Sequence, residues 1–226
     1  MTGKEVFMEK CCICQSYELL MYKHPKFDIE FIECLRCKTI YKSKKMKISE
    51  EKEKEIYNLH ENHKDNLGYV QFLSNFILDA VMPFKKQGEV LDFGSGPNPV
   101  LKYILDHHYG FKTHIYDYYY HKDEKVFNHK YDVITSTEVF EHLWDPIKEL
   151  KRLLNCLKPD GILAIMTLFR PKTKEEVFNW FYIRDPSHVI FYSEESFKYL
   201  AKMLNLKIIF SNHKRYIILK KKQLND

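Results

Sequence analysis

Residues 90–97 read Val-Leu-Asp-Phe-Gly-Ser-Gly-Pro, a short apolar run, an acid at Asp92, and then a Gly-x-Gly turn. The chain holds only seven glycines, about half the usual share, and two of them stand here, one residue apart. Glycine after a strand lets the backbone turn sharply and come close to a ligand. Val100 to His107 follow with helical character, so the first N–H groups of that helix face the same spot. A strand, a tight turn and a helix in this order make the elbow of a nucleotide-type site.

Which ligand the elbow suits is decided by its neighbours. A dinucleotide fingerprint needs a third glycine for close helix–strand packing, but Pro99 occupies that position and Pro97 also interrupts. Asp92 would repel a pyrophosphate. A carboxylate suits a cationic ligand such as S-adenosylmethionine, which carries an ammonium and a sulfonium and no phosphate. A second acid, Asp117, ends the strand-like His114-Ile-Tyr-Asp run 21 residues after Gly96, the place that accepts ribose hydroxyls in a Rossmann-like sheet.

Downstream, Tyr131–Ser136 reads as a strand. Apolar residues at Phe140, Leu143, Ile147, Leu150, Leu153, Leu154 and Leu157 have helical spacing. Lys158-Pro-Asp-Gly161 reads as a turn, and Ile162–Phe169 as a buried parallel strand. Alternating strands and helices give an α/β sheet with ligand at the strand C-termini. With these residues in view, the chain resembles a class I S-adenosylmethionine-dependent methyltransferase. The resemblance rests on Val90–Pro97, Asp117, Tyr131-Asp-Val-Ile-Thr-Ser-Thr-Glu-Val-Phe-Glu-His-Leu143 and Leu157-Lys-Pro-Asp-Gly161, and spans roughly residues 65–220. It implies a Rossmann-like seven-stranded sheet, closed by a hairpin of Leu206–Phe210 and Tyr216–Leu219 whose last strand is antiparallel. It implies cofactor contacts at Asp92, Gly94, Ser95, Gly96, Asp117, Thr137 and Glu138. Only 13 residues separate Asp117 from Tyr131, so the third strand of the family must be very short, at Lys125–Phe127.

The front of the chain carries a second pattern. Cys11-x2-Cys14 and Cys34-x2-Cys37, with 19 residues between the pairs, match four-cysteine zinc spacing. Strand-like runs at Tyr17–Tyr22 and Phe27–Phe31 lie between them, so residues 1–42 are expected to form a zinc ribbon holding a structural Zn2+. Cys12 is a bystander and Cys156 a small core residue. No signal peptide opens the chain, which favours a reducing cytoplasm over a disulfide framework. Residues 43–64 read as linker and cover segment: Ser49 with the following glutamates starts a charged helix, and Tyr57, His60 and Asn62 are candidates to fold over the substrate. Residues 65–226 are the expected methyltransferase domain, entered by a helix with a core face at Tyr69, Phe72, Leu73, Phe76, Ile77 and Ala80.

The net charge of +5 comes from 36 basic and 31 acidic residues, mixed along the chain. Nucleic acid is permitted but not favoured as a partner, and no apolar run reaches the ~18 residues of a membrane span. Methyl transfer leaves the protein to orient the reactants and, where needed, to supply a base. In this fold the segment after the fifth core strand lies over the methyl group. Here that segment is Trp180-Phe-Tyr-Ile-Arg-Asp-Pro-Ser-His-Val-Ile-Phe-Tyr192, a Trp-x-Tyr-x-x-Asp-x-x-His-x-x-Phe-Tyr pattern that similar bacterial methyltransferases carry. His188 is the first candidate for general base and Tyr192 the second, with Trp180 and Tyr182 as pocket walls. Glu138, Glu141 and His142, at helical spacing, would share a face near the cofactor or hold a divalent ion; the reading places Glu138 at the cofactor and assigns no metal. The leading function is methylation of a small-molecule acceptor at oxygen or carbon, the ribbon completing the acceptor site or a homodimer interface. The alternatives are an RNA methyltransferase that grips its substrate with the ribbon, and a cofactor-binding regulator without turnover.

Overall fold

The computed structural model describes residues 9–59 and 62–223. In chain order the elements are β1 (Leu19–Lys23), β2 (Glu30–Cys34), β3 (Ile40–Lys42), α1 (Glu50–Asn58), α2 (Leu67–Phe76), β4 (Glu89–Phe93), α3 (Val100–His108), β5 (Lys112–Tyr116), β6 (Tyr131–Thr137), α4 (Pro146–Cys156), β7 (Leu157–Met166), α5 (Lys174–Asn179), β8 (Ile190–Phe191), α6 (Glu194–Met203), β9 (Leu206–Ser211) and β10 (Tyr216–Lys221). They build two sheets, one of six strands in the order β5-β4-β6-β7-β10-β9 and one of four in the order β1-β2-β3-β8.

The large sheet is the expected α/β architecture. β5, β4, β6 and β7 run parallel, while β10 is antiparallel to both β7 and β9. Its central strands are apolar on both faces, as a sheet covered on both sides requires. Leu73, Phe76, Leu101 and Ile104 seal one face, and Leu150, Leu153, Phe197 and Leu200 the other. The strand order reverses between β5-β4 and β6, so the C-terminal ends of these three strands open a crevice at a topological switch point.

Three sequence expectations are corrected. The described sheet has six strands instead of seven, because Lys125–Phe127 lies in a 3-10 turn, Glu124–Asn128, whose Val126 packs into the core. The helix expected from Phe140 starts only at Pro146. Asp145 caps it by accepting from the Lys148 N–H at 3.1 Å, and proline suits a first helical position. Upstream, Glu138 adopts φ 54° and Phe140–His142 form a separate 3-10 turn, so Glu138, Glu141 and His142 do not share an α-helical face. In the small sheet the first two strands fall a few residues later than expected. His24 Nδ1 accepts from the N–H groups of Lys26 and Phe27 and holds that stretch as a turn.

The ribbon does not stand apart from the large sheet. β3 pairs with β8, with Ile40 opposite Phe191 and Tyr41 opposite Ile190. Ile32, Tyr41 and the buried cysteines share one apolar core with Tyr192, Phe197 and Leu200. Lys42 Nζ donates to the Asp185 carbonyl at 2.6 Å, and Arg170 bridges to Glu33 at 2.7 Å. The stretch between α5 and α6 is thus braced from the N-terminal side.

Candidate active site

The glycine turn is built as the sequence requires. Gly94 (φ 84°) and Gly96 (φ 67°) both occupy the left-handed region, where a side chain is strained. A Cβ on Gly94 would run into Val139, whereas the space beside Gly96 is open. Gly96 N donates to Asp117 Oδ2 at 2.9 Å, and the N–H groups of Tyr119 and Tyr120 donate to Oδ1 at 2.9 and 3.1 Å. Asp117 therefore ties the end of β5 to the turn after β4, and it still faces the cavity with acceptor capacity left over. Gly94, Ser95, Gly96, Thr137 and Glu138 line the same cavity. Asp92 does not. It is 1% exposed and its carboxylate accepts from Thr135 Oγ1 at 3.1 Å. Burial, with the charge of Asp117 adding to it, pushes its pKa up to about 7 against the pull of that hydrogen bond. Asp92 supports the turn from within the sheet and is not among the residues that line the cavity.

The cavity has a volume of ≈ 1010 Å³, at the top of the ~300–1,000 Å³ range of small-molecule sites. Its cover is α1, capped by Ser49, which accepts from Lys52 N. Three consecutive tyrosines after Asp117 reach up to this helix: Tyr118 to Glu50 at 3.1 Å, Tyr119 to Glu53 at 2.8 Å and Tyr120 to Asn58 at 2.6 Å. Tyr57 donates to Glu53 at 2.6 Å and sets its ring edge-on to His142 at 5.1 Å. Tyr57 and Asn62 line the cavity, and His60 lies outside the described residues. The tyrosine triplet carries no spacing signal that would mark it in the sequence.

At the far end, Tyr182 and His188 reach the cavity wall together with His142 and Phe181. His188 Nδ1 lies 2.9 Å from the Tyr182 carbonyl, and His142 Nδ1 lies 3.0 Å from the Ser187 carbonyl. A carbonyl only accepts, so each ring in its neutral form carries its proton on Nδ1 and its lone pair on Nε2. The two rings stack edge to face at 4.8 Å. Two expectations fail here. Tyr192 is fully buried; it donates to the Phe140 carbonyl at 3.1 Å and stacks on Phe197. It is a core residue out of reach of any cavity ligand. Trp180 packs behind Tyr182 and Phe191 and does not line the cavity, whereas Phe181, 66% exposed, does.

Below this wall sits an unusual group of acids. Tyr182 Oη is 2.9 Å from Glu138 Oε2 and 2.5 Å from Glu141 Oε1. One phenol has one proton to donate, so without a cation the second contact needs a proton on a carboxyl. Burial raises the pKa of both acids, and Glu141, fully buried beside Glu138, is pushed well above the usual carboxylate range. The left-handed backbone at Glu138 is rare for a residue other than glycine and is held only where its surroundings impose it; its N–H donates to the Met166 carbonyl at 2.8 Å.

The four cysteines of the two pairs come together at the other side of β3. Cys11 and Cys37 sulfurs lie 3.5 Å apart, as do those of Cys14 and Cys34, and all four sulfurs fall within 4.8 Å of one another. Zn–S bonds of about 2.3 Å require sulfur separations of about 3.8 Å around a tetrahedron, which this set fits. The N–H groups of Ile13 and Cys37 point at the sulfurs of Cys11 and Cys34. Cys12 is not part of the set, as expected. Burial is the main cause that lifts the Cys14 thiol to about 11.

Comparison with known proteins agrees with this geometry. A family model described as a methyltransferase domain matches residues 62–210. Among solved structures, mitomycin 7-O-methyltransferase is similar at a TM-score of 0.57 and 15% identity, over 77% of this chain and 59% of that one. A methyltransferase of calicheamicin biosynthesis, solved with S-adenosylhomocysteine, is similar at 0.53 and 14%, over 76% and 59%. The chain thus spans about three-fifths of the length of each of these two structures. No curated protein matches the sequence. No helix among the described residues is long and apolar enough to cross a membrane. With residues 62–210 matched and the glycine turn, Asp117 and the closing antiparallel strand in place, the chain belongs to the methyltransferase-domain family and has the fold of its class I S-adenosylmethionine-dependent members.

Proposed function

We infer that this protein methylates a hydroxyl group of a small-molecule acceptor. The observation that carries the reading is one continuous cavity with the glycine turn and Asp117 at one end and His142, Tyr182 and His188 at the other. Its volume accommodates two small ligands side by side. S-adenosylmethionine, when bound, supplies a methyl carbon whose bond electrons return to sulfur as the acceptor oxygen takes the methyl. Gly94, Ser95 and Gly96 would hold it close to the backbone, Asp117 would accept from its hydroxyls, and Glu138 with the buried acids beneath favours its positive charge. The residues fit such a ligand: the turn leaves open space beside Gly96, and the side chain hydrogen-bonded to that turn is the Asp117 carboxylate, which a phosphate would meet as a like charge.

At the acceptor end His142 and His188 line the cavity, and His188 Nε2 lies 3.8 Å from Asp185 Oδ2, so an imidazole that takes a proton from a hydroxyl there has a carboxylate beside it to stabilise the charge. His188 is the proposed residue at that point; Tyr57 and Phe181 clamp an acceptor from the cover and the late loop. The fold shared with mitomycin 7-O-methyltransferase supports an oxygen acceptor on a small molecule. Zinc in the four-cysteine set is proposed as structural, holding β3 so that β8 presents His188 to the cavity. Calorimetry with S-adenosylhomocysteine, followed by turnover on hydroxylated aromatic acceptors, tests the reading. Binding of one equivalent and transfer that falls ~10²-fold or more in His188→Ala are expected. Failure of S-adenosylhomocysteine to bind overturns it, and turnover on RNA alone replaces the acceptor.

A further inference from the structure

We propose that Glu141, His142 and His188 form a divalent-cation site in the wall of the cavity, and that the cation, not an imidazole alone, engages the acceptor hydroxyl. The proposal rests on the methyl-transfer reading above and changes the part His188 plays in it: with Nε2 on the cation His188 is a ligand and not the base, and the proton of the hydroxyl leaves to solvent as its oxygen binds the ion. One ligand atom from each of the three side chains lies within 4.8 Å of the others, close enough that small side-chain shifts would bring them to the roughly 3.3–3.6 Å spacing of tetrahedral ligands about 2.0–2.2 Å from a shared ion. Glu141 is fully buried, and its Oε2 has no hydrogen-bond partner among the described residues, nor has Oε1 of the adjacent Glu138. A buried carboxylate oxygen left unpartnered costs free energy that a cation recovers.

The surrounding groups are those of a metal centre. Both imidazoles have Nδ1 against a backbone carbonyl, of Ser187 and of Tyr182; that outer contact fixes the tautomer and aims Nε2 at an ion. Tyr182 bonds to Glu141 and Glu138 in turn and fixes the carboxylates. His142, His188 and Glu138 line the cavity while Glu141 lies behind them, so an ion held here is backed by protein on one side and faces the ligand space on the other. Three protein ligands with remaining positions open to ligand is the plan of a catalytic rather than a structural site. The two nitrogens and one oxygen select a first-row divalent cation such as Mn2+, Fe2+, Co2+ or Zn2+ over Mg2+ or Ca2+, which prefer oxygen alone. Such an ion acidifies a hydroxyl that ligates it, and two neighbouring hydroxyls or a hydroxyl–carbonyl pair would suit its open positions.

The test uses the full chain with its cysteine set filled with zinc, titrated with Mn2+ and followed by the loss of the free-ion electron paramagnetic resonance signal. One Mn2+ per chain is expected, with affinity reduced ~10–100-fold in His142→Gln and in His188→Gln. Pulsed resonance on the wild-type complex should show nitrogen coupling from imidazole, a readout that needs no variant to fold. Mn2+ that does not bind, that binds with water and oxygen ligands only, or that binds equally to both variants overturns the site. S-adenosylhomocysteine affinity measured in the same samples reports separately on the methyltransferase reading, so loss of one does not imitate loss of the other.

Discussion

The four-cysteine set and the acid–imidazole group place similar numbers of metal-competent atoms on opposite plans. The sulfurs of the first come from two short chain reversals, their thiols are packed under Ile13, Ile32 and Tyr41, and no wall of the set faces the large cavity. The second draws its side chains from a 3-10 turn and from a loop more than forty residues away, and two of its members line the cavity. The first arrangement suits a structural ion: four sulfurs would saturate a tetrahedron and leave no position for a substrate. The second leaves room for chemistry. The two are joined through β3 and β8, so the closed set braces the loop that carries His188, one of the three members of the open one.

Removing a sulfur should have the largest effect. Cys34→Ser is expected to abolish zinc binding, measured by atomic absorption, and to cost roughly 5 kcal/mol or more of stability. Hydrogen exchange should rise across residues 185–192 while S-adenosylhomocysteine affinity changes little; unchanged exchange there would break the link between the two regions. A buried acid that belongs to neither group supplies a control. Asp92 has a folded pKa near 7 against an ordinary value of 3.8, so between those pH values the native state keeps a proton that the unfolded chain has released. Stability then falls as pH rises from about 4 to 7 and levels off above. Asp92→Asn should remove roughly 2–4 kcal/mol of that slope, read from melting curves between pH 4 and 8.

Asp117→Ala isolates the cofactor end. It deletes the acceptor for three N–H groups and should weaken S-adenosylhomocysteine binding ~10–100-fold while leaving Mn2+ titration unchanged. The smallest effect is expected from Tyr182→Phe, which leaves Glu138 and Glu141 without their shared phenol. A loss of about 1–2 kcal/mol in urea unfolding should shrink when Mn2+ is present, since a cation takes over the carboxylates. A loss of the same size with and without Mn2+ would count against a cation beside Glu141.

Short-range patterns carried most of what the sequence disclosed. Gly94, Gly96 and Asp117 fall where a strand–turn–helix elbow must have them, and the two Cys-x2-Cys pairs are local signals that survive any distant packing. Features set by distant pairing were not legible. Tyr192 follows a two-residue strand whose partner is β3, and only that pairing turns it into the core and leaves His188 at the wall. Trp180 and Phe181 sit in a loop without periodicity, so which of them faces the ligand is decided by how Phe191 and Tyr182 pack. Glu138 broke the helical reading because its left-handed backbone ends β6 abruptly, and residue type alone gives no warning of that.

The pairing of β3 with β8 also has a bearing on how the chain is made. During synthesis Ile40–Lys42 emerge long before Ile190–Phe191, so the ribbon waits with one unpaired edge until nearly the whole domain has left the ribosome. An exposed edge strand invites pairing with the wrong chain. A strand of only three residues, with Lys42 at its end and the Cys34–Cys37 knuckle just before its start, offers a short template for such errors.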